Sequence, residues 1–316
     1  MDHISKKGSK PLPDAGNMKY LAFKLEEALA AEQLVCKQNL LLIQEDRKPG
    51  EVTIASRDGA VHIFRFLRIW FDLPSTVFFN AALYLDQFLA KIKVQERYLK
   101  CVTISCFYVA ATNAGYDVDK LQLVNVSQSK CSVNDMLRMA EKVEQKLKIG
   151  NADIPSTCAD FLDIYVDILE MVTTVCDAPF VFATRETLLT RLEVLMTDHR
   201  CAFYRPSMLA LALVQIEIER QMGEMSEKSL YYLQDMVNVF VVIAEIQHTC
   251  QIRTGEMVNC YNSACSTLSQ YDNQEKAKHS QNLMWRFSSS TYALCNKYRY
   301  NRNAHYLLDT IEEQFQ

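Results

Sequence analysis

Histidines, cysteines and paired carboxylates are the side chains of this sequence that suit acid–base, nucleophilic or metal chemistry. The 6 His and 11 Cys are scattered, and no two Cys have the CxxC spacing of zinc sites and redox pairs. No GxGxxG, Walker, HExxH or GxSxG sequence occurs. The pattern predicts a protein that is not an enzyme and has no metal site or cofactor. The histidines, separated from one another and from paired carboxylates, are His3, His62, His199, His248, His279 and His305.

Single carboxylates and thiols in helical segments have ordinary structural interpretations. Asp163 and Glu217 lie on helix patterns where a solvated face is expected. Cys101 and Cys106 lie in an almost wholly apolar segment, which indicates core thiols rather than nucleophiles. Reduced, mostly buried thiols favour an intracellular protein.

The end of the chain places Leu308 and Ile311 three positions apart and follows them with Glu312 and Glu313. This is too little apolar surface to form a packed element. One interpretation is an extended docking peptide in which these apolar and acidic side chains contact a partner. The alternative is a last helical turn in which Leu307, Leu308 and Ile311 pack back on the body.

The composition predicts that the secondary structure of the chain is helical. Of the 316 residues 49% are hydrophobic and 10% aromatic, so the chain can bury a core. The 8 Gly and 7 Pro are few for a β-rich protein, which needs turn residues at every hairpin. A net charge of −4 and a pI near 5.9 argue against nucleic acid as a partner. No apolar run approaches the length of a membrane span, so no membrane partner is expected.

Apolar spacing predicts an all-α chain of two tandem helical bundles. Each bundle has one nearly continuous apolar helix surrounded by amphipathic helices. The polar, Ser- and Asn-rich composition after the second bundle is typical of a segment that does not fold alone. The predicted divisions are a mobile N-terminus (1–16), an amphipathic helix (17–48), the first bundle (52–150), the second bundle (151–272) and a flexible tail (273–316).

Local signals refine these divisions. Asn17 is predicted as the N-cap of the first helix, and Ser132 or Asn134 as the cap of a later one. Three helices are predicted between residues 56 and 113, and the last of them is apolar almost all round and therefore central. A single helix is predicted from Arg185 to Tyr204, and another begins at Pro206, a favoured first-turn residue.

The first bundle resembles the cyclin box, and specifically the cyclin G and cyclin I group, with cyclin G the closer. The segment "LYLDQFL" stands where cyclins carry a DRFL-type motif, and "DMLRMAEKV" stands where they carry LRME. Farther along, "YRPSMLALALVQIEIE" is similar to the second-box segment of cyclin G. The resemblance covers about residues 20–250 and implies two tandem cyclin boxes.

The resemblance also implies a structural ion pair. Arg57 and Asp86 fall where the cyclin fold joins the first two box helices through an Arg–Asp pair. Their neighbours, Val61 and Phe64 near the arginine and Leu85 beside the aspartate, are apolar. An unpaired buried charge is costly, so we expect the two to pair. The alternative is that both are surface charges.

Two positions depart from cyclins that activate cyclin-dependent kinases. Those cyclins hold the regulatory helix of the kinase with a Lys at the end of the third box helix and the Glu of LRME. Here these positions are Thr112 and Ala140. Charge-assisted contacts of this kind are worth a few kcal/mol at a buried interface. The resemblance therefore implies a cyclin fold that is at best a weak kinase activator and that binds a cyclin-dependent kinase weakly.

The substrate-docking patch of cyclins is eroded in the same way. Ser56, Gly59, Ala60 and Ile63 occupy positions where docking cyclins carry Met, Ile, Leu and Trp. A shallow patch without its aromatic wall is expected to hold peptides poorly.

The C-terminal pattern, Leu308-x-x-Ile311-x-Glu313, resembles the LxxIxE docking motif for the B-prime regulatory subunits of protein phosphatase 2A. Members of the cyclin G family associate with those subunits. The same pattern at Leu40, Ile43 and Glu45 is interpreted instead as part of an amphipathic helix.

The resemblance therefore implies a non-catalytic adaptor in cell-cycle and growth or stress control. The adaptor would recruit protein phosphatase 2A and would be both nuclear and cytoplasmic. The alternative is a regulatory subunit that binds and activates a cyclin-dependent kinase. A transcription scaffold that uses the same fold on DNA lacks the basic field it would need.

Overall fold

The computed structural model describes residues 15–36, 50–149, 156–175, 183–225 and 231–273. Within these ranges the regular structure is helical, apart from an isolated antiparallel bridge between Glu51 and Gln95, so the predicted all-α class is confirmed. No described helix combines the length and the apolar character needed to cross a bilayer. The helices are α1 (Ala15–Cys36), α2 (Ile54–Trp70), α3 (Ser75–Lys91), α4 (Glu96–Asn113), α5 (Lys120–Val126), α6 (Val133–Leu147), α7 (Cys158–Val175), α8 (Arg185–Met196), α9 (His199–Ala202), α10 (Pro206–Met225), α11 (Tyr231–Thr249) and α12 (Thr254–Asn273).

The described residues form two compact units. Of the described residues, the α4 unit comprises 50–149, 193–203 and 266–273, and the α7 unit comprises 15–36, 156–175, 183–192, 204–225 and 231–265. Helix α1 therefore belongs to the same unit as α7. The chain contributes to each unit in several segments, whereas the sequence divisions are contiguous. Apolar spacing reports which face of a helix is buried and not which helices it packs against.

Helix α4 is the centre of its unit and packs against α2, α3 and α6. Its inner side chains are fully buried; Ile104, Cys106 and Phe107 have no exposed surface. The Phe107 ring stacks on Phe64 of α2 with 6.2 Å between the ring centroids. The prediction of three helices between residues 56 and 113, with the third in the core, is confirmed.

Helix α6 begins with a capping box. The Ser132 hydroxyl accepts the Asp135 amide at 3.2 Å, and the Asp135 carboxylate accepts the Ser132 amide at 3.1 Å. Each side chain satisfies a backbone N–H that the first turn leaves without a helical partner. Of the two cap candidates, Ser132 is the cap.

Replacing Ser132 by alanine is expected to lower the free energy of unfolding by about 1 kcal/mol, because the Asp135 amide loses its acceptor. Asn134→Ala is the matched control, since Asn134 lies inside the helix and is exposed. Chemical denaturation of both variants checks the difference. Equal losses would contradict the cap assignment.

In the α7 unit, α7 packs against α1, α10 and α11. Glu32 of α1 is 1% exposed and accepts the Ser207 amide at 2.7 Å in the first turn of α10. Arg205 and the Ser207 hydroxyl donate to the same carboxylate at 2.8 and 2.9 Å. The predicted start of α10 at Pro206 is confirmed, and a residue of α1, 175 positions away from Ser207, caps it.

Two predicted helix boundaries differ from the structure. Helix α1 begins at Ala15, so Asn17 lies inside the first turn and does not cap it; a helix end often shifts by one or two residues. The helix predicted from Arg185 to Tyr204 is broken near Asp198. The Asp198 side chain accepts the Arg200 amide at 3.0 Å and caps the separate helix α9. A short polar side chain favours such a cap over helix continuation.

Candidate functional site

Arg57 of α2 and Asp86 of α3 form a two-point ion pair inside the α4 unit. The Arg57 Nε and Nη2 atoms lie 2.8 and 2.5 Å from the two Asp86 carboxylate oxygens. The two side chains are 1% and 8% exposed. This geometry joins the first two helices of the bundle and corresponds to the structural pair that the sequence implies.

Arg57 has further partners that complete its hydrogen bonding. Its Nη1 donates to the Met196 carbonyl oxygen at 2.9 Å and to Asp58 at 3.2 Å. Burial alone would lower the pKa of the guanidinium, but the carboxylates of Asp86 and Asp58 outweigh it and raise that pKa above its usual value. The arginine is therefore always charged and always paired.

Asp58, Asp198 and His199 form the group of described residues whose ligand atoms lie close enough to hold a metal ion, within 4.8 Å of one another. His199 Nδ1 lies 2.7 Å from the Asp58 carboxylate and 3.8 Å from that of Asp198. His199 was interpreted from the sequence as isolated from paired carboxylates, and that interpretation is wrong. Asp58 is 141 positions away from it, a distance that no local pattern spans.

Arginines already neutralise both carboxylates of this cluster. Arg200 lies 2.7 Å from Asp198, and the Thr267 hydroxyl donates to the same carboxylate at 2.9 Å. Burial would raise the pKa of Asp198, but these hydrogen bonds lower it to about 2. Burial raises the pKa of Asp58 despite the opposing effect of Arg57. A metal ion here would meet two guanidinium groups, so the arrangement favours an ion-pair network.

A second buried network joins Glu193 to two arginines of α2. Glu193 is fully buried, and its carboxylate lies 2.9 Å from Arg68 and 3.6 Å from Arg65. Helical periodicity alone does not predict this network. The available signal was a carboxylate within the apolar run Leu192, Val194 and Leu195, since a buried charge needs a partner.

The two carboxylates for which a solvated helix face was expected, Asp163 and Glu217, differ in their exposure to solvent. Asp163 is about half exposed and pairs with Arg185 at 3.2 Å, as expected for a solvated face. Glu217 is 1% exposed, so the prediction of a solvated face is wrong for it. Its carboxylate is held by Arg191 at 3.5 Å and by Arg220 at 2.5 Å. Two arginines provide the compensation that burial requires.

The described cysteines are free thiols, and several of them are buried. Burial raises the pKa of Cys101 to about 12, and it raises the pKa of Cys106 further. Such thiols stay protonated near neutral pH and are poor nucleophiles. Cys106 is a core thiol, as expected, whereas Cys101 is only half-buried; burial activates neither of them as a nucleophile.

The two positions that the resemblance implies for kinase contact, Thr112 and Ala140, carry no charge. Thr112, at the end of α4, is exposed, and its hydroxyl donates to the Tyr108 carbonyl oxygen of its own helix at 2.9 Å. Ala140 of α6 is 4% exposed. These two residues therefore supply neither the ammonium nor the carboxylate that a kinase-activating cyclin offers.

The four positions of the docking patch do not form an open apolar surface. Ala60 and Ile63 are only 3% and 5% exposed. Ser56 and Gly59 are half-buried, and Ser56 donates from its hydroxyl to Glu96 at 2.7 Å. A side chain at Gly59 would meet open space. Apolar side chains that a peptide would need are either absent or buried.

The C-terminal motif lies outside the described residues. Leu308, Ile311, Glu312 and Glu313 all follow residue 273, where the described structure ends. The motif stays a prediction from the sequence.

Comparison with known proteins finds a matching domain family and several related sequences. Residues 23–150 match the cyclin N-terminal domain. Cyclin G of Drosophila melanogaster is 30% identical over 258 residues, which cover 80% of this chain and 45% of the fly protein. Cyclin-G1 of Bos taurus is 31% identical over 211 residues, 62% of this chain and 66% of the bovine protein. Cyclin-G1 of Rattus norvegicus is 28% identical over 303 residues, 92% of each chain.

The fold is also found among solved structures. The X-ray structure of a viral cyclin from herpesvirus saimiri superposes with a TM-score of 0.54 and covers 78% of this chain and 99% of the viral one. At 14% identity this likeness concerns the fold, and it agrees with tandem cyclin boxes. The domain match and the cyclin G relatives identify the chain as a cyclin G-like member of the cyclin family.

Proposed function

We propose that this chain is an adaptor that brings protein phosphatase 2A to substrates held by its helical bundles. The observation that carries the proposal is the pairing of a neutral kinase face with an LxxIxE pattern at the chain end. Thr112 and Ala140 supply no charged group to a kinase, whereas Leu308, Ile311 and Glu313 have the spacing that B-prime regulatory subunits bind. Recruitment would then depend on a short peptide and substrate binding on the helical body.

Tethering explains why the tail could bind the phosphatase while the helical body binds the substrate. A short flexible connection raises the local concentration of a bound phosphatase to about the millimolar range. Modest affinity of the tail and modest affinity of the body are then sufficient together. Cell-cycle and growth or stress control, in the nucleus and the cytoplasm, is the setting we propose for this activity.

The second candidate is a regulatory subunit that activates a cyclin-dependent kinase. Four exposed charged residues of α6 favour it, because they could compensate for the neutral positions: Arg138, Glu141, Lys142 and Lys146. Each lies at the surface, where its contribution to an interface would be smaller than that of a desolvated pair.

A reconstitution with purified proteins distinguishes the two candidate functions. The chain is mixed with the B-prime subunit and, in parallel, with cyclin-dependent kinases, and capture and kinase activity are measured. We expect capture of the B-prime subunit and no stimulation of any kinase. Strong kinase activation without phosphatase capture would establish the second candidate instead.

A further inference from the structure

A groove opens in the α4 unit between the first turn of α4, the loop before α6 and the first half of α6. Its volume is about 670 Å³, within the range of peptide and ligand sites. The kinase-contact position Thr112 lies at the other end of α4 and does not line the groove. The groove is therefore distinct from the two neutral positions Thr112 and Ala140, although Arg138 and Lys142 of α6 line it.

The lining of the groove is strongly basic although the whole chain is acidic. Five cationic residues line it and only two carboxylates, an excess of three positive charges, against a chain net charge of −4. The cationic residues are all exposed: Arg97, Lys100, Lys130, Arg138 and Lys142. A concave surface that concentrates one sign of charge attracts ligands of the opposite sign.

The two carboxylates of the lining are already occupied. Asp135 accepts the Ser132 hydroxyl at 2.7 Å and pairs with Arg138 at 2.6 Å. Glu96 accepts the Ser56 hydroxyl at 2.7 Å. Among the described residues, neither Lys130 nor Lys142 pairs with a carboxylate. These two lysines therefore contribute two of the positive charges that the lining carries in excess.

The floor of the groove is weakly polar. The half-buried Cys101 and Met139 contribute sulfur-bearing side chains, and burial keeps the Cys101 thiol protonated by raising its pKa to about 12. Thioether and thiol groups adapt to apolar side chains of varied shape. A ligand that matches this surface combines an apolar group with flanking negative charges.

We propose that this groove binds an acidic peptide segment of a partner protein, with an apolar side chain on the Cys101–Met139 floor and carboxylates at Lys130 and Lys142. A nucleic acid fits less well. Single-stranded nucleic acid is held by several aromatic faces on which bases stack, whereas the described residues of this lining include a single aromatic ring, Tyr98, and Arg97 occupies one face of it at 4.6 Å. The groove would hold the substrate of the adaptor, and in that respect the inference rests on the proposed function.

The test is binding of a fluorescein-labelled peptide rich in Asp and Glu with one central Leu, measured by fluorescence anisotropy on the full chain without phosphatase. We expect Lys130→Glu/Lys142→Glu to weaken binding by about tenfold or more, because two favourable charge contacts become repulsive. The wild-type affinity is expected to fall as salt rises. A tail variant, Leu308→Ala/Ile311→Ala, is expected to bind the peptide like wild type, which separates failure of the groove from failure of phosphatase docking.

The matched control is Lys19→Glu/Arg253→Glu, which changes the net charge equally at two exposed residues outside the groove. It is expected to bind the peptide like wild type, and thermal unfolding checks that all variants are folded. Equal weakening by both charge reversals would overturn the proposal in favour of non-specific attraction. Equal binding of a peptide with Asn and Gln in place of Asp and Glu would overturn it as well, as would no binding by wild type.

Discussion

Replacing Asp86 by alanine is expected to lower the free energy of unfolding by about 3–5 kcal/mol, because it leaves the Arg57 guanidinium buried without its main counter-charge. Arg57 is 1% exposed, and it would retain only Asp58 at 3.2 Å and the Met196 carbonyl oxygen. Urea denaturation followed by circular dichroism measures the loss.

Asp117→Ala is the control, since Asp117 is exposed in the same unit and its loss is expected to change stability by less than about 0.5 kcal/mol. Replacing both partners, in Arg57→Met/Asp86→Leu, is expected to cost less than the sum of the single changes, because neither charge is then left alone. A loss below about 1 kcal/mol for Asp86→Ala would mean that the pair behaves like a surface salt bridge.

Replacing Leu308 and Ile311 by alanine is expected to reduce affinity for the B-prime subunit by about a hundredfold or more. Apolar anchors that fill pockets at the centre of an interface are each typically worth about 2 kcal/mol, and every 1.4 kcal/mol is about tenfold. Glu313 would remain and retain only the electrostatic part of the interaction. Titration with the purified subunit measures the change.

The sequence contains its own control for this prediction. Leu40, Ile43 and Glu45 have the same spacing, so Leu40→Ala/Ile43→Ala removes an identical pattern elsewhere in the chain. Phosphatase binding is expected to persist in that variant. If the Leu40→Ala/Ile43→Ala variant lost phosphatase binding and the tail variant kept it, the docking site would be the earlier motif.

Much of the fold follows from local patterns. The apolar character of α4 predicts its central position, Ser132 predicts the start of α6, and Pro206 predicts the start of α10. These features depend on residues within one or two turns of each other, which is the range over which helical periodicity and capping act.

Long-range polar networks could not be predicted in this way. Glu32 caps α10 from a position 175 residues before Ser207, and Asp58 meets His199 across 141 residues. Burial of Glu217 was also missed, because a carboxylate on a helix looks the same in sequence whether or not arginines cover it. The Arg57–Asp86 geometry was anticipated from the family resemblance and the apolar neighbours together.

Recruitment of the phosphatase is proposed to depend on Leu308, Ile311 and Glu313. The decisive measurement is the dissociation constant of a labelled peptide of residues 304–316 for the purified B-prime subunit. We expect the isolated peptide to bind nearly as tightly as the full chain and to compete with it. If the full chain binds the subunit while the peptide neither binds nor competes, recruitment does not depend on these residues.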